Sequence, residues 1–163
     1  MFDAALLDQA RDVLDAARAK NIRIVTAESC TGGLIAALLT EIPGSSNVVE
    51  RGFVTYSDKS KEELLGVPAV LIAAHGAVSD QVARAMADGA LRHARAQLAI
   101  AVTGIAGPGG GSAEKPVGLV YVALADGHNT SSYEYRFGDV GRSQVRLATV
   151  REALKLLSDA VSR

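Results

Sequence analysis

A single cysteine, Cys30, stands among 163 residues. That excludes an internal disulfide and any cysteine-rich zinc site. Tryptophan is absent and aromatic residues make up 4% of the chain. The core therefore has to be built from Ala, Val, Leu and Ile, a composition that suits helices packed closely on a sheet. Neither sign of charge is in excess: 17 Lys and Arg face 18 Asp and Glu, for a net charge of −1. This balance argues against a nucleic-acid partner held by bulk electrostatics. The longest uncharged run, Ala96 to Ala113, is cut by five glycines and a proline, whereas a membrane span needs about 20 mostly apolar residues. The stretch from Met1 to Lys20 is broken by Asp3, Asp8, Arg11, Asp12, Asp15 and Arg18, so no signal-peptide core is visible. The expectation is a soluble, cytoplasmic chain with no membrane partner.

What is present is 48% hydrophobic residues in the length of one domain, so residues 1–163 are read as a single unit. Leu6, Leu7, Ala10, Val13, Leu14 and Ala17 fit an amphipathic helix with Asp3 as N-cap. A short buried strand is expected over Ile22–Thr26, followed by a helix over Leu34–Leu39 that Pro43 and Gly44 end. A second strand follows over Val48–Tyr56, then a short helix over Lys59–Leu65, capped at Ser57-Asp58 and stopped by Gly66 and Pro68. Ser79 caps a helix from Asp80 to about Arg95. Leu98–Thr103 is almost wholly apolar and reads as a central strand. Val117–Ala125 and Thr130–Phe137 flank Asp126-Gly127 as a hairpin. A last helix starts near Gly141, with Leu147, Val150, Leu154, Leu157 and Val161 on one face. Helices and strands interleave through three strands before the hairpin closes the sheet. That order gives an α/β fold, a three-layer α/β/α sandwich on a mixed, mostly parallel five-stranded sheet.

Three polar segments follow strands: Glu28–Gly33, Tyr56–Lys61 and Thr103–Ser112. Ligands of open α/β sheets gather outside the carboxyl ends of the strands, so these segments are expected to converge. The glycine loop fits neither the P-loop nor the dinucleotide fingerprint, in which Ser112 would have to be Gly or Ala. It is either an anion-holding nest or an ordinary connection. Ser29 is either an N-cap or a nucleophile beside unpaired helix amides. Cys30 is either a rival nucleophile or buried filler. Of the three histidines, His75, His93 and His128, none has metal-ligand spacing, and none is placed to serve Ser29. Lys61 can take a histidine's part as base if its pKa falls, through burial near cations such as Lys59 or Arg142. Tyr56 is the candidate to relay the proton or orient the lysine. The plainer reading of Lys59-Ser60-Lys61-Glu62-Glu63 is a solvated charged helix.

Taken together, several ordered motifs resemble the CinA C-terminal domain family. They are Ala-Glu-Ser-Cys-Thr-Gly-Gly at 27–33, Gly-Ser-Ser at 44–46, Tyr-Ser-Asp-Lys-Ser-Lys at 56–61 and Leu-Leu-Gly-Val at 64–67. His-Gly-Ala-Val-Ser at 75–79, Thr-Gly-Ile-Ala-Gly-Pro-Gly-Gly-Gly at 103–111 and Lys-Pro-Val-Gly at 115–118 complete the set. The resemblance covers residues from about 5 to 160. Asp58 stands where asparagine is common. The family's stand-alone members include nicotinamide-nucleotide amidohydrolases, and its larger members carry a further N-terminal domain. The resemblance implies hydrolysis of the carboxamide of nicotinamide mononucleotide to the acid and ammonia, with no cofactor and no metal. It places the nucleophile on Ser29, the lysine on Lys61 and the tyrosine on Tyr56. The oxyanion falls to the amides of Thr31, Gly32 and Gly33, or of Gly104. The ribose phosphate falls to Thr103, Gly104, Gly107, Gly109, Gly110 and Arg142. The family's members tend to be oligomers, so a homo-oligomer is expected. A non-catalytic nucleotide- or protein-binding module and an amidase for a different small amide are the alternatives.

Overall fold

The computed structural model describes residues 2–163. Asp3 accepts from the Leu6 amide at 2.8 Å and opens helix α1 (Ala4–Ala19). Leu6, Ala10, Val13, Leu14 and Ala17 form its buried stripe, as the spacing predicts. Strand β1 (Ile24–Glu28) is buried along its whole length, and it begins and ends two residues later than the apolar run alone suggests. Helix α2 (Leu34–Thr40), a 3-10 turn (Ser45–Asn47) and strand β2 (Val49–Val54) follow. Ser57 then caps α3 (Asp58–Leu65) in a reciprocal capping box with Ser60.

Pro68 stops α3 but also opens an unexpected helix, α4 (Ala69–His75), from the N-cap position. A proline ring costs nothing there, because no helical N–H is required of it. Ser79 caps α5 (Asp80–Arg92), which ends about a turn short of Arg95. Strands β3 (Leu98–Gly104), β4 (Leu119–Ala125) and β5 (Thr130–Arg136) and helix α6 (Arg142–Ser162) complete the chain. The Asp126 carboxylate accepts the amides of His128 and Asn129 and so fixes the β4–β5 turn.

The sheet order is β2-β1-β3-β4-β5. β1 pairs parallel with β2 and β3, while β4 runs antiparallel to β3 and β5. Four strands therefore share one direction and β4 opposes them. Alternation along each strand builds two cores. Ile24, Leu98, Ile100, Val102 and Val122 face α1, α2 and α6, where Leu14, Leu38, Leu39, Leu154 and Leu157 meet them. Val25, Ala27, Ala99, Ala101 and Ala123 face α3 to α5, a layer of Ala83, Met86, Ala87 and Ala90. Each large aliphatic side chain buried in this way contributes roughly 1.5–3 kcal/mol. On the alanine side the elements approach until no side chain fits: a Cβ on Gly89 would lie 2.0 Å from the Leu65 carbonyl oxygen. This close packing sets α3, and the lysine it carries, against α5, which itself lies on the sheet.

Candidate active site

Ser29 follows β1 directly. Its amide donates to the Val102 carbonyl at 3.0 Å, so the residue is tied to the end of β3. The turn that follows needs left-handed backbone at Gly32 and Gly33, with φ of 59° and 99°, which glycine adopts without strain. Glu28 organises this turn from below, with its side chain wholly buried. One carboxylate oxygen accepts from the Thr31 hydroxyl at 2.6 Å and from the Gly33 and Ile35 amides at 3.1 and 3.0 Å. The other accepts from the Ala36 amide at 2.9 Å. A carboxylate is thus placed on the free amides at the start of α2, where charge and donors both suit it. The part played by Glu28 is not visible in the sequence.

Lys61 reaches the same point from β2. The Thr55 amide donates to the Glu28 carbonyl at 2.8 Å, and α3 begins three residues later. Lys61 is 1% exposed, and its Nζ lies 3.0 Å from Ser29 Oγ and 2.9 Å from the Thr55 carbonyl oxygen. Both neighbours are neutral. Burial lowers the Lys61 pKa from its ordinary value, while the charge of Asp58 works weakly the other way. The cause is therefore desolvation, in place of the neighbouring cations suggested from sequence. Lys59 instead lies outward beside Glu62 and Glu63 at 3.6 and 3.8 Å. Arg142 is engaged elsewhere. Burial also pushes the Cys30 thiol up to about 12, so its thiolate is scarce near neutrality.

Tyr56 does not hydrogen-bond to Lys61. Its hydroxyl meets Arg142 Nη2 at 2.6 Å, and Arg142 Nη1 donates to the Gly107 carbonyl at 2.8 Å. Arg142, the first residue of α6, thereby bridges the β2–α3 segment and the glycine loop. One turn on, Arg146 donates to the carbonyls of Cys30 and Thr31 at 3.1 and 2.9 Å and clamps the segment just beyond Ser29. Sequence reading passed over Arg146. Its spacing of four from Arg142 is the signal that could have found it.

Between these groups lies a cavity of about 280 Å³. Ser29, Lys61, Tyr56, Thr103, Gly104, Gly107, Gly109, Gly110 and Arg142 line it, with Asp58 beside them. Thr103 Oγ1 donates to the Ala77 carbonyl at 2.8 Å and so ties the α4–α5 connection to the rim. At Gly104 a Cβ would lie 2.6 Å from Val120 Cγ2, so a larger residue would displace β4. Thr31, Gly32 and Gly33 do not line the cavity. The Thr31 hydroxyl and Gly33 amide serve Glu28, and the Gly32 amide donates to the Ser29 carbonyl at 3.0 Å. Among the described residues no three His, Cys, Asp or Glu side chains cluster as they would around a metal ion, and no helix is long and apolar enough to cross a membrane.

The fold matches solved structures along nearly its whole length. A competence/damage-inducible protein from Agrobacterium tumefaciens superposes with a TM-score of 0.96 at 52% identity, over 100% of this chain and 99% of that one. A CinA superfamily protein from Klebsiella pneumoniae gives 0.92 at 34% identity, over 96% and 98%. A CinA-like protein from Geobacter sulfurreducens is 54% identical over 86% of this chain, and one from an Anaeromyxobacter species is 51% identical over 96%. The chain spans 34% and 39% of the length of these two curated relatives. The model of the CinA C-terminal domain matches residues 7–161, and the chain belongs to that family.

Proposed function

We propose that this domain is an amidohydrolase that converts the carboxamide of nicotinamide mononucleotide to the carboxylate and ammonia, a step of pyridine-nucleotide salvage. One observation carries the reading: the buried Lys61 amine stands 3.0 Å from the Ser29 hydroxyl with no carboxylate hydrogen-bonded to it. A lysine in that setting gives up its proton more readily than one in water. Its free lone pair can then take the proton of Ser29.

In the proposed sequence Ser29 Oγ attacks the carboxamide carbon while Lys61 Nζ accepts the hydroxyl proton. The amide of Cys30, a residue that lines the cavity, donates to no other residue among those described, which leaves it open for the oxyanion. The tetrahedral species collapses as the protonated Lys61 returns its proton to the departing nitrogen, and ammonia leaves. A water molecule, deprotonated in turn by Lys61, cleaves the acyl–Ser29 ester and releases the acid. Arg142 stands at the rim as a fixed positive charge for the ribose phosphate, with the amides of the glycine loop beside it.

The test is ammonia release from nicotinamide mononucleotide by the purified protein, with the acid product followed in parallel. Ser29→Ala is expected to stay folded by circular dichroism, to bind substrate and to release no ammonia. Nicotinamide riboside, which lacks the phosphate, should be turned over at least about tenfold less efficiently, since one charge-assisted contact is worth ~1.5–3 kcal/mol. Normal turnover by a folded Ser29→Ala protein would overturn the mechanism. Equal efficiency on the two substrates would remove the phosphate from the assignment.

A further inference from the structure

The opposite edge of the sheet, before the amino end of β1, carries a second cleft, of about 380 Å³, lined by Arg18, Asn21, Arg23 and Asn47. Arg23 and Ser29 are separated by the length of β1, about 20 Å at ~3.3 Å per residue, so this cleft is distinct from the cavity around Lys61. All four lining side chains carry hydrogen-bond donors, and no acid lines the cleft. Arg18 is anchored: it donates to Asp15 at 2.6 Å and reaches the Gly44 carbonyl at 3.3 Å. Arg23 is not. Its Nε is buried without a partner, and no hydrogen bond from the rest of its guanidinium occurs among the described residues. Glu50 feels the charge of Arg23, but the hydrogen bonds at its two oxygens come from Arg51, at 2.6 and 2.8 Å. The side-chain amides of Asn21 and Asn47 likewise make no hydrogen bond to a described residue.

A guanidinium that lines an open cleft with no acceptor from the chain leaves its charge for a partner from outside it. The donors come from three separate segments: the last turn of α1, the turn before β1 and the 3-10 turn. An acceptor with oxygens in several directions fits them better than a planar carboxylate, which offers two. We propose that this cleft is a binding site for a small oxyanion of the phosphate type, held by Arg18 and Arg23 as charge partners and by Asn21 and Asn47 as neutral donors. It takes no part in amide hydrolysis and does not depend on that activity being present.

Inorganic phosphate is the probe. An amide-resolved NMR titration of the whole chain reports the two edges of the sheet separately. Saturating shifts are expected at residues 18–23 and 44–48, absent when chloride replaces phosphate at equal ionic strength. Arg23→Gln should weaken binding at least about tenfold, the loss of one charge-assisted contact. Arg18→Gln should do the same, which covers the case of a poorly folded Arg23 variant. Arg142→Gln should leave these shifts intact, and Arg23→Gln should leave ammonia release unchanged. The proposal fails if these residues do not respond, if chloride moves them equally, or if folded Arg18→Gln and Arg23→Gln proteins titrate like the parent. None of those outcomes bears on the Ser29 mechanism, which is read from ammonia alone.

Discussion

Strand β1 has a cation beyond each end, and the two are built for different work. Past the carboxyl end, Lys61 is 1% exposed and touches a hydroxyl and a carbonyl. Before the amino end, Arg23 is half-buried and stands in an open cleft beside Arg18. A lysine denied water can shed its proton, whereas a guanidinium keeps its charge in any protein setting. Burial therefore makes a base at one edge of the sheet, and the choice of arginine keeps a permanent charge at the other. Exchanging the residue types would disable both places.

The largest expected effect comes from making that exchange at Lys61. Lys61→Arg keeps a cation near Ser29 but cannot accept its proton. Lys61→Ala removes the base outright. Each should cut ammonia release by about 10²–10⁴-fold, the usual contribution of a positioned general base. Steady-state rates on nicotinamide mononucleotide measure it. Lys61→Arg retaining a large part of the parental rate would show that charge matters at this edge and basicity does not.

Glu28→Gln comes next, because it loosens the turn that holds the nucleophile without touching the base. An amide side chain must point its NH₂ at one of the donors now served. In its best orientation that donor is the Ala36 N–H, which is left unpaired. One unsatisfied buried donor costs about 1–3 kcal/mol. Urea unfolding should show that loss, and kcat should fall with KM nearly unchanged, since the cavity lining stays in place. A Glu28→Gln protein with parental stability and kcat would mean the carboxylate does not position Ser29.

The contrast between the edges also has a pH signature. The unfolded chain protonates Lys61 below its ordinary value of 10.5. The folded chain resists until a lower pH is reached. Between the two values the unfolded state binds more protons, so stability rises with pH across that window, and the cost is fully present below it. Lys61→Met should therefore be more stable than the parent at neutral pH, with the advantage shrinking as pH approaches 10.5. Thermal unfolding over a pH series measures it. Activity should rise with pH as Lys61 is freed of its proton and level off below 10.5. Asp58→Asn, which removes the carboxylate favouring the charged amine, should move the rising limb to lower pH. A pH-independent gap between Lys61→Met and the parent would mean that burial does not tune the amine.

Much of this site is legible in the sequence because it sits at strand ends. Topology put the segments of Ser29 and Lys61 at one edge of the sheet, the family resemblance named the two residues, and the hairpin and the capped helices followed from Asp126, Ser57 and Ser79. What escaped has physical reasons. The partners of Glu28 are a nearby hydroxyl and backbone amides up to eight residues on, and amides leave no mark on a sequence. Tyr56 and Arg142 are 86 residues apart, beyond any local pattern. Helix α4 lies in an apolar run with no polar face to reveal a period, and its opening proline reads as a stop. Lys61 looks solvated among Lys59, Glu62 and Glu63. Yet Leu65, four residues on and buried, places it on the inner face of α3, and that spacing was the available clue.

The smallest expected effect is at Cys30, and it asks whether burial explains both neighbours. Burial favours the neutral form of any group. For an amine that form is the base, so Lys61 gains. For a thiol it is the poor nucleophile, so Cys30, pushed up to about 12, loses. Cys30→Ala and Cys30→Ser should keep most of the ammonia release, with a packing cost of order 1 kcal/mol. Iodoacetamide at pH 8 should alkylate the folded protein far more slowly than the urea-unfolded chain, because the thiolate is the reacting species. The adduct, once formed, should block turnover by filling the cavity that Cys30 also lines. A folded Cys30→Ala protein without activity, or a native thiol that reacts as fast as a free one, would show that burial does not separate the two residues, and the serine would lose its claim to the attacking atom.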